Sequence, residues 1–491
     1  MKKNIYIFLL MVLTLSACDS FGDMNTDPNK VEQTHPQLLL TNVCWEAFSE
    51  TGTSPLYAMH CLVQSDGENS EQFYKWTRGS FSYYSDLRNV NKMQEEAEKI
   101  SAKGYVALAH FFRAWYFYKL TLTFGDIPYS DALKGESEDK YTPVYDTQES
   151  VFTGILAELK MADEMLAAEK DALSGDIIFG GNLAAWRKTI NAFRLKVLLT
   201  LSKHADDASS TIKQDFAAIV SSSPLMTSPS DNAQLVFLNQ EGNRYPEFNS
   251  SSFGSGMYMD STFVALLAQK KDPRLFTFCT QTKNAKDAGL AIDDFSSYDG
   301  GDPAAAYAKV NAKAVAGKIS KPNPRFYASP TNEPLILMGY SEQELILAEA
   351  VVRGWISGDA SAHYQNAVKA SFKFYETYAS GYEAYLTEAA AATYLSLPEV
   401  ELSSSLTAEQ KIQRIIEQRY IPSFFQGMWT SFFNYLRTGY PALRRPAGVD
   451  VPNRWMYPQD EYNNNTENVK AALQRQFSGQ DRISDATWWN K

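Results

Sequence analysis

Six aromatic residues, Phe73, Tyr74, Trp76, Phe81, Tyr83 and Tyr84, fall in a polar stretch from Gln64 to Leu87 that carries no helical stripe. Asp66, Glu68, Asn69 and Arg78 lie among them. Such a set can bind a sugar, because the C–H face of a pyranose is apolar and stacks on phenol or indole while its hydroxyls pair with amides and carboxylates. Trp76, with Phe73, Tyr74, Tyr83 and Tyr84, is the leading group of ligand contacts. Arg325 with Tyr327, in the turn-forming stretch Lys321-Pro322-Asn323-Pro324-Arg325, is a second. The competing reading is that the cluster packs beneath a surface loop. Trp115, Trp186 and Trp355 differ, since each falls on an apolar helical stripe and is expected in the core.

Other chemistry finds little support. Asp299-Gly300-Gly301-Asp302 lacks the ligand spacing of an EF-hand and reads as a solvated turn. Glu95-Glu96 and Asp206-Asp207 are adjacent pairs, which on a helix project about 100° apart and cannot bracket a bond. The five histidines, at 35, 60, 110, 204 and 363, form no recognisable site. HExxH, GxSxG and P-loop motifs are missing. A binding protein is therefore expected in preference to an enzyme, with no cofactor and no metal. The enzymatic alternative is a helical glycoside hydrolase, which needs two carboxylates about 5–9.5 Å apart across a cleft. A third class is a helical scaffold for protein partners.

The N-terminus predicts export. Lys2 and Lys3 precede an apolar run from Ile5 to Leu15, then Leu15-Ser16-Ala17-Cys18. That run is too short for a bilayer, which takes roughly 20 residues. Small residues before a cysteine read as a lipobox, so residues 1–17 are expected to be removed and Cys18 to carry the lipid that holds the protein on a membrane. The net charge of −11 becomes more negative still once Lys2 and Lys3 leave, and no basic block appears. Nucleic acid is thereby excluded as a partner. Cys44, Cys61 and Cys279 leave two readings open: a Cys44–Cys61 disulfide, or free buried thiols.

The elements that must position these groups are mainly helical. Leu108, Phe111, Phe112, Trp115 and Tyr116 recur at helical spacing before Gly125-Asp126-Ile127-Pro128 ends the run. Phe152, Ile155, Leu156 and Leu159 repeat the pattern behind Ser150 as a cap, and Trp186, Ile190, Phe193, Val197 and Leu201 do so behind Asn182. Ser341 to Glu344 reads as a capping box opening a helical hairpin to about residue 379. Thr407 with Gln410 reads as another, ahead of Ile412, Ile415 and Ile416. An aromatic stripe of Phe424, Phe425, Met428, Trp429 and Phe432 suggests its partner helix. Such hairpins look like tetratricopeptide units. Between about 206 and 334 Ser, Gly, Asn and Pro accumulate around short strand-like runs such as Gln234 to Leu238, which predicts a loop-rich lobe with few strands. The expected organisation is one domain from 18 to 491, with a helical frame over about 36–205 and 335–491.

Several motifs together resemble a known family. Phe21 to Asn29 resembles an opening motif, and Thr123-Phe124-Gly125-Asp126-Ile127-Pro128-Tyr129 a helix-ending one. Trp186, Asn191, Arg194 and Leu195 match a helix motif; Tyr340 to Glu342, Ala348 to Ala350, Arg353-Gly354 and Tyr364 match a hairpin. Arg437-Thr438-Gly439-Tyr440-Pro441 and Pro452 to Pro458, with Glu461 and Asn463, resemble closing motifs. In this order they are similar to the SusD/RagB nutrient-binding outer-membrane lipoproteins of Bacteroidetes, in the second SusD-like subgroup. Leu436 departs from the arginine often found there. The resemblance implies four tetratricopeptide-like helical pairs bracing an irregular lobe, oligosaccharide capture, and a SusC-like TonB-dependent transporter on which the lipoprotein sits as a hinged lid. A peptide ligand is the alternative that the same resemblance allows.

Overall fold

The computed structural model describes residues 34–491. Cys18 and the opening motif lie outside the described residues. The long helices are α1 (Pro36–Phe48), α2 (Tyr83–Lys99), α3 (Lys103–Phe124), α4 (Gln148–Ala168), α5 (Leu183–Thr200) and α6 (Ile212–Ser222). After them come α7 (Ser261–Gln269), α8 (Tyr307–Val315), α9 (Tyr340–Val352), α10 (Ala360–Tyr378), α11 (Ala408–Tyr420), α12 (Thr430–Thr438) and α13 (Thr466–Phe477). Pairs α2–α3, α4–α5, α9–α10 and α11–α12 are successive hairpins, and α3 packs on α4, α5 on α9 and α9 on α11. The expected helical stack is thus present. α3 is buried on nearly every side, from Tyr105 round to Phe124, because helices cover it on both flanks.

Local chemistry sets the helix ends. Asn182 accepts the Ala185 N–H, and Thr407 and Gln410 form a reciprocal capping box. Thr147 caps α4, taking the Ser150 N–H, where Ser150 itself was expected to cap. Ser341 forms no capping box: α9 begins one residue earlier at Tyr340, and the Ser341 hydroxyl donates to the Ala367 carbonyl of α10 instead. The predicted stripe from Phe424 is helical only from Thr430, since Phe425 and Met428 adopt left-handed backbone angles that break a helix.

The strands are short. β1 (Leu62–Gln64) pairs antiparallel with β3 (Met257–Met259), and β2 (Ala233–Leu235) with β4 (Leu335–Met338). Gln234 therefore lies in a strand as expected, while Val236 to Leu238 lie beyond it. The lobe from 206 to 334 carries more helix than its composition predicts, namely α6, α7 and α8.

Two large apolar clusters result. The first joins α1–α6 to Tyr457, α13 and Trp489; the second joins residues 56–76 and α7 to α10, α11 and Phe432. Phe433, Leu436 and Trp455 pack against both. Cys44 lies in the first cluster and Cys61 and Cys279 in the second, all three as free buried thiols, which resolves the disulfide question.

Candidate functional site

The aromatic stretch of residues 73–84 does not form one surface. Trp76 is 7 % exposed and stacks on Trp455 at 4.7 Å, with Trp429 and Phe432 against its edges. Its indole N–H donates to the Arg454 carbonyl at 3.4 Å. Tyr74 is 4 % exposed, its hydroxyl donating to the Ala58 carbonyl at 2.8 Å beside His60. Protein therefore occupies the faces of both rings. Arg325 is nearly buried too, ion-paired to Glu333 at 2.6 Å and donating to the Thr277 carbonyl at 2.9 Å. Phe73 stays half-buried under Lys75. Tyr83 and Tyr84 open α2, where Tyr84 donates to the Pro128 carbonyl at 2.5 Å. The closing motif that covers Trp76 lies nearly 380 residues away in sequence, so no local signal reveals the burial.

Tyr83 alone of the six leads to a cavity. It lines a space of about 180 Å³ that opens between the two clusters, with Phe48 and Trp115 on one wall and Leu345 and Tyr375 on the other. Trp429 and Phe433 add to the aromatic lining. Charged side chains from four helices enter it. Lys119 of α3 ion-pairs with Glu50, and its ammonium sits 4.2 Å from the Tyr83 ring centre. Tyr83 donates to the same Glu50 carboxylate at 2.5 Å. Lys196 of α5 and Arg419 of α11 both reach Glu342 of α9, at 3.1 and 2.9 Å. Burial pushes the Glu342 carboxyl up, but the two cations outweigh it and hold the group below the ordinary carboxylate range. Burial pulls the Lys196 ammonium down, with Glu342 restoring only part. Four polar atoms of lining residues have no partner and are themselves occluded: Trp115 Nε1, Tyr375 Oη, Arg419 Nε and Ser431 Oγ.

Lys196, Arg419 and Ser431 were not singled out in the sequence, and Glu342 was named only within a capping box and a hairpin motif. A signal existed for Lys196, a cation between Leu195 and Val197 in the buried stretch Leu195 to Thr200. Trp115 lies in the core as expected, yet its side chain also lines the cavity.

The recurring motifs fix the frame around this space. Asp126 of the helix-ending segment accepts the Gln148 N–H at 2.8 Å and pairs with Arg475. Trp186 donates to Asp176 at 2.8 Å, and Arg437 clamps the buried Glu349. A family model described as SusD-like, starch-binding associating with outer membrane, matches residues 28–458. The chain belongs to the SusD-like family. The first resemblance is thereby established over nearly the whole length. A candidate nutrient-binding outer-membrane protein of Bacteroides vulgatus is 57 % identical, with a TM-score of 0.91 over 93 % of this chain and 100 % of that one. A SusD homolog of Bacteroides fragilis is 55 % identical, at TM-score 0.89 over 94 % and 100 %. Another from the same species is 33 % identical, at TM-score 0.86 over 93 % and 100 %. No curated protein matches. The SusD-like motifs are thus packing and turn devices, and they say nothing of a ligand.

Two further features of this SusD-like chain could suggest catalysis. Asp260, His60 and Tyr74 form a hydrogen-bonded chain, at 3.2 and 3.1 Å, but Asp260 and His60 are fully buried, so no substrate reaches it. Among the described residues, no group of three or more His, Cys, Asp or Glu side chains is placed to hold a metal ion. Asp299 pairs with Lys313 at 2.6 Å and Asp302 with Arg444 at 2.7 Å, so the acidic turn is neutralised by protein cations. No helix among the described residues is long and apolar enough to cross a membrane.

Proposed function

We propose that this SusD-like protein captures an oligosaccharide at the cell surface and passes it to a SusC-like TonB-dependent transporter beneath, without cleaving it. The observation that carries the reading is the cavity: aromatic rings from Tyr83, Trp115, Trp429 and Phe433 beside fixed polar groups, in a chain of a starch-binding, outer-membrane family. Rings supply the apolar face that a pyranose needs and the polar groups its orientation. Tyr83 is the sequence-predicted contact that this placement favours, with Phe73 as an outlying one. Residues 18–491 act as one body behind a signal of residues 1–17, tethered by lipid on Cys18. Ligand shared between lipoprotein and transporter biases a hinged lid toward closure, which requires tighter binding in the closed state.

Incubating the purified protein with a glycan and peptide array tests capture. Sugar binding without product formation is expected, whereas turnover, or binding confined to peptides, overturns the reading. Cys18→Ser is expected to move the protein from the membrane fraction to the soluble one, and its retention there counts against the tether.

A further inference from the structure

We infer that an uncharged apolar patch on the outer side of α1 and the segment after β2, formed by Leu38, Trp45, Ile177, Val236 and Leu238, is the face by which this protein docks against its outer-membrane transporter. This rests on the capture reading above and gives that partner its contact surface. The make-up of the patch and the reach of the lipid tether support it independently.

Leu38 and Trp45 lie two turns apart along one side of α1, while Leu40, Val43 and Cys44 face the core. Leu38 is 63 % exposed, and the half-buried Trp45 ring meets Phe237 edge-on at 5.9 Å. Phe237 is buried, and its neighbours Val236 and Leu238 turn outward, 56 % and 52 % exposed. Ile177 joins on the other flank, where the Gly175 carbonyl accepts from the Thr41 hydroxyl of α1 at 2.8 Å. Apolar side chains gathered on a surface mark a contact site. None of the five is charged and an aromatic ring lies among them, which is the composition of the centre of a protein interface. A face made for lipid carries lysine or arginine beside its apolar groups. The lobe also exposes Tyr307 and Val315 on α8, but Lys309 and Lys313 share that helix, as on a solvated surface.

The tether decides which partner this face meets. From Cys18 to Thr34, the first described residue, the chain advances 16 residues. Fully extended they span at most about 55 Å. A globular chain of this length has a radius of gyration near ~23 Å and is therefore roughly 60 Å across. The side on which α1 begins thus cannot be turned fully away from the membrane that holds Cys18, and Leu38 lies in the first turn of that helix. The same wall reaches the cavity, since Phe48 at the far end of α1 and Leu335 and Leu337 of β4, the strand paired with β2, line it. α1 and the β2–β4 pair so carry the partner's contacts on one side and the cavity on the other.

Photocrosslinking of the affinity-tagged, full-length lipoprotein in its native outer membrane tests this. Its thiols at Cys44, Cys61 and Cys279 are buried, so Val236→Cys supplies the reactive one for a benzophenone maleimide, with Val315→Cys as the matching position on the lobe. Irradiation is expected to join the Val236→Cys protein to a TonB-dependent transporter, identified by peptide sequencing, and the Val315→Cys protein to none. Val236→Glu combined with Leu238→Glu is expected to cut the transporter that co-purifies with the tagged protein on the order of tenfold. The melting temperature stays unchanged, because both side chains are exposed. No adduct from the patch, an adduct with lipid or with a second copy of this chain, a transporter adduct from the lobe alone, or undiminished co-purification overturns the inference while leaving capture and hand-over intact. Wild-type protein with which no transporter co-purifies overturns both.

Discussion

Replacing Glu349 by Gln tests whether a buried ion pair ties the middle of the stack to the closing motifs. Glu349 on α9 is wholly buried and accepts from Arg437 of α12 at both oxygens, as well as from Arg353 at 2.8 Å. Burial pushes this carboxyl up, yet the Arg437 and Arg353 guanidiniums outweigh it and bring it down to about 2, from 4.5. A depressed carboxylate stabilises the fold fully above its unfolded value, and that contribution is lost as pH falls toward the folded value. At about 1.4 kcal/mol per unit, the pairing contributes on the order of 3 kcal/mol at neutral pH. By pH 3 about 2 kcal/mol of it has gone, because the unfolded chain is already protonated while the folded one is not. Urea unfolding of wild type and Glu349→Gln, followed by tryptophan emission at several pH values, reads the difference directly, and carboxylates common to both proteins cancel. The expected gap is about 3 kcal/mol near neutrality, shrinking to about 1 near pH 3. A gap that stays constant across this range, or that is below about 0.5 kcal/mol at pH 7, refutes the reasoning.

Other consequences are equally open to measurement. Trp76→Ala removes an indole packed on Trp455, Trp429 and Phe432, so a loss of about 3–5 kcal/mol of stability is expected in urea unfolding; a loss under 1 kcal/mol contradicts the packing. Cys44, Cys61 and Cys279 are buried thiols whose ionisation burial opposes, so a chromogenic disulfide reagent should label them only on unfolding, and rapid labelling of the native protein contradicts this. Burial, then Glu46 and Glu50, raise the Asp86 carboxyl to about 6 from 3.8. Such a group favours the fold below its unfolded value and loses that advantage as pH rises through about 6. Asp86→Asn should therefore flatten the fall in melting temperature between about pH 4 and 6, and an unchanged profile argues against it.

The helical frame was legible because its signals are local. Apolar spacing around Phe111 and Phe193, the cap at Asn182 and the box at Thr407 each depend on residues within a turn or two. Ser341 shows the limit of such signals: its hydroxyl has a better acceptor on the neighbouring helix than at its own helix end. The site was less legible, since its parts meet only through the stack. Trp76 looked free because its cover, Trp455, comes from the closing motif, and Arg325 because Glu333 lies across a turn. Conversely Lys196, Glu342 and Arg419 read as ordinary helix residues until three helices bring them to one cavity. Tyr83 was picked for its ring, which does border that space, although it opens a helix that the polar composition of the stretch concealed.

Tyr457, α13 and Trp489 complete the first cluster, where the backbone N–H of Trp489 donates to Gln148 at the start of α4. The early helices consequently lack part of their interior until almost the whole polypeptide has been made. A chain with that dependence is expected to complete its fold only once its last segment is available.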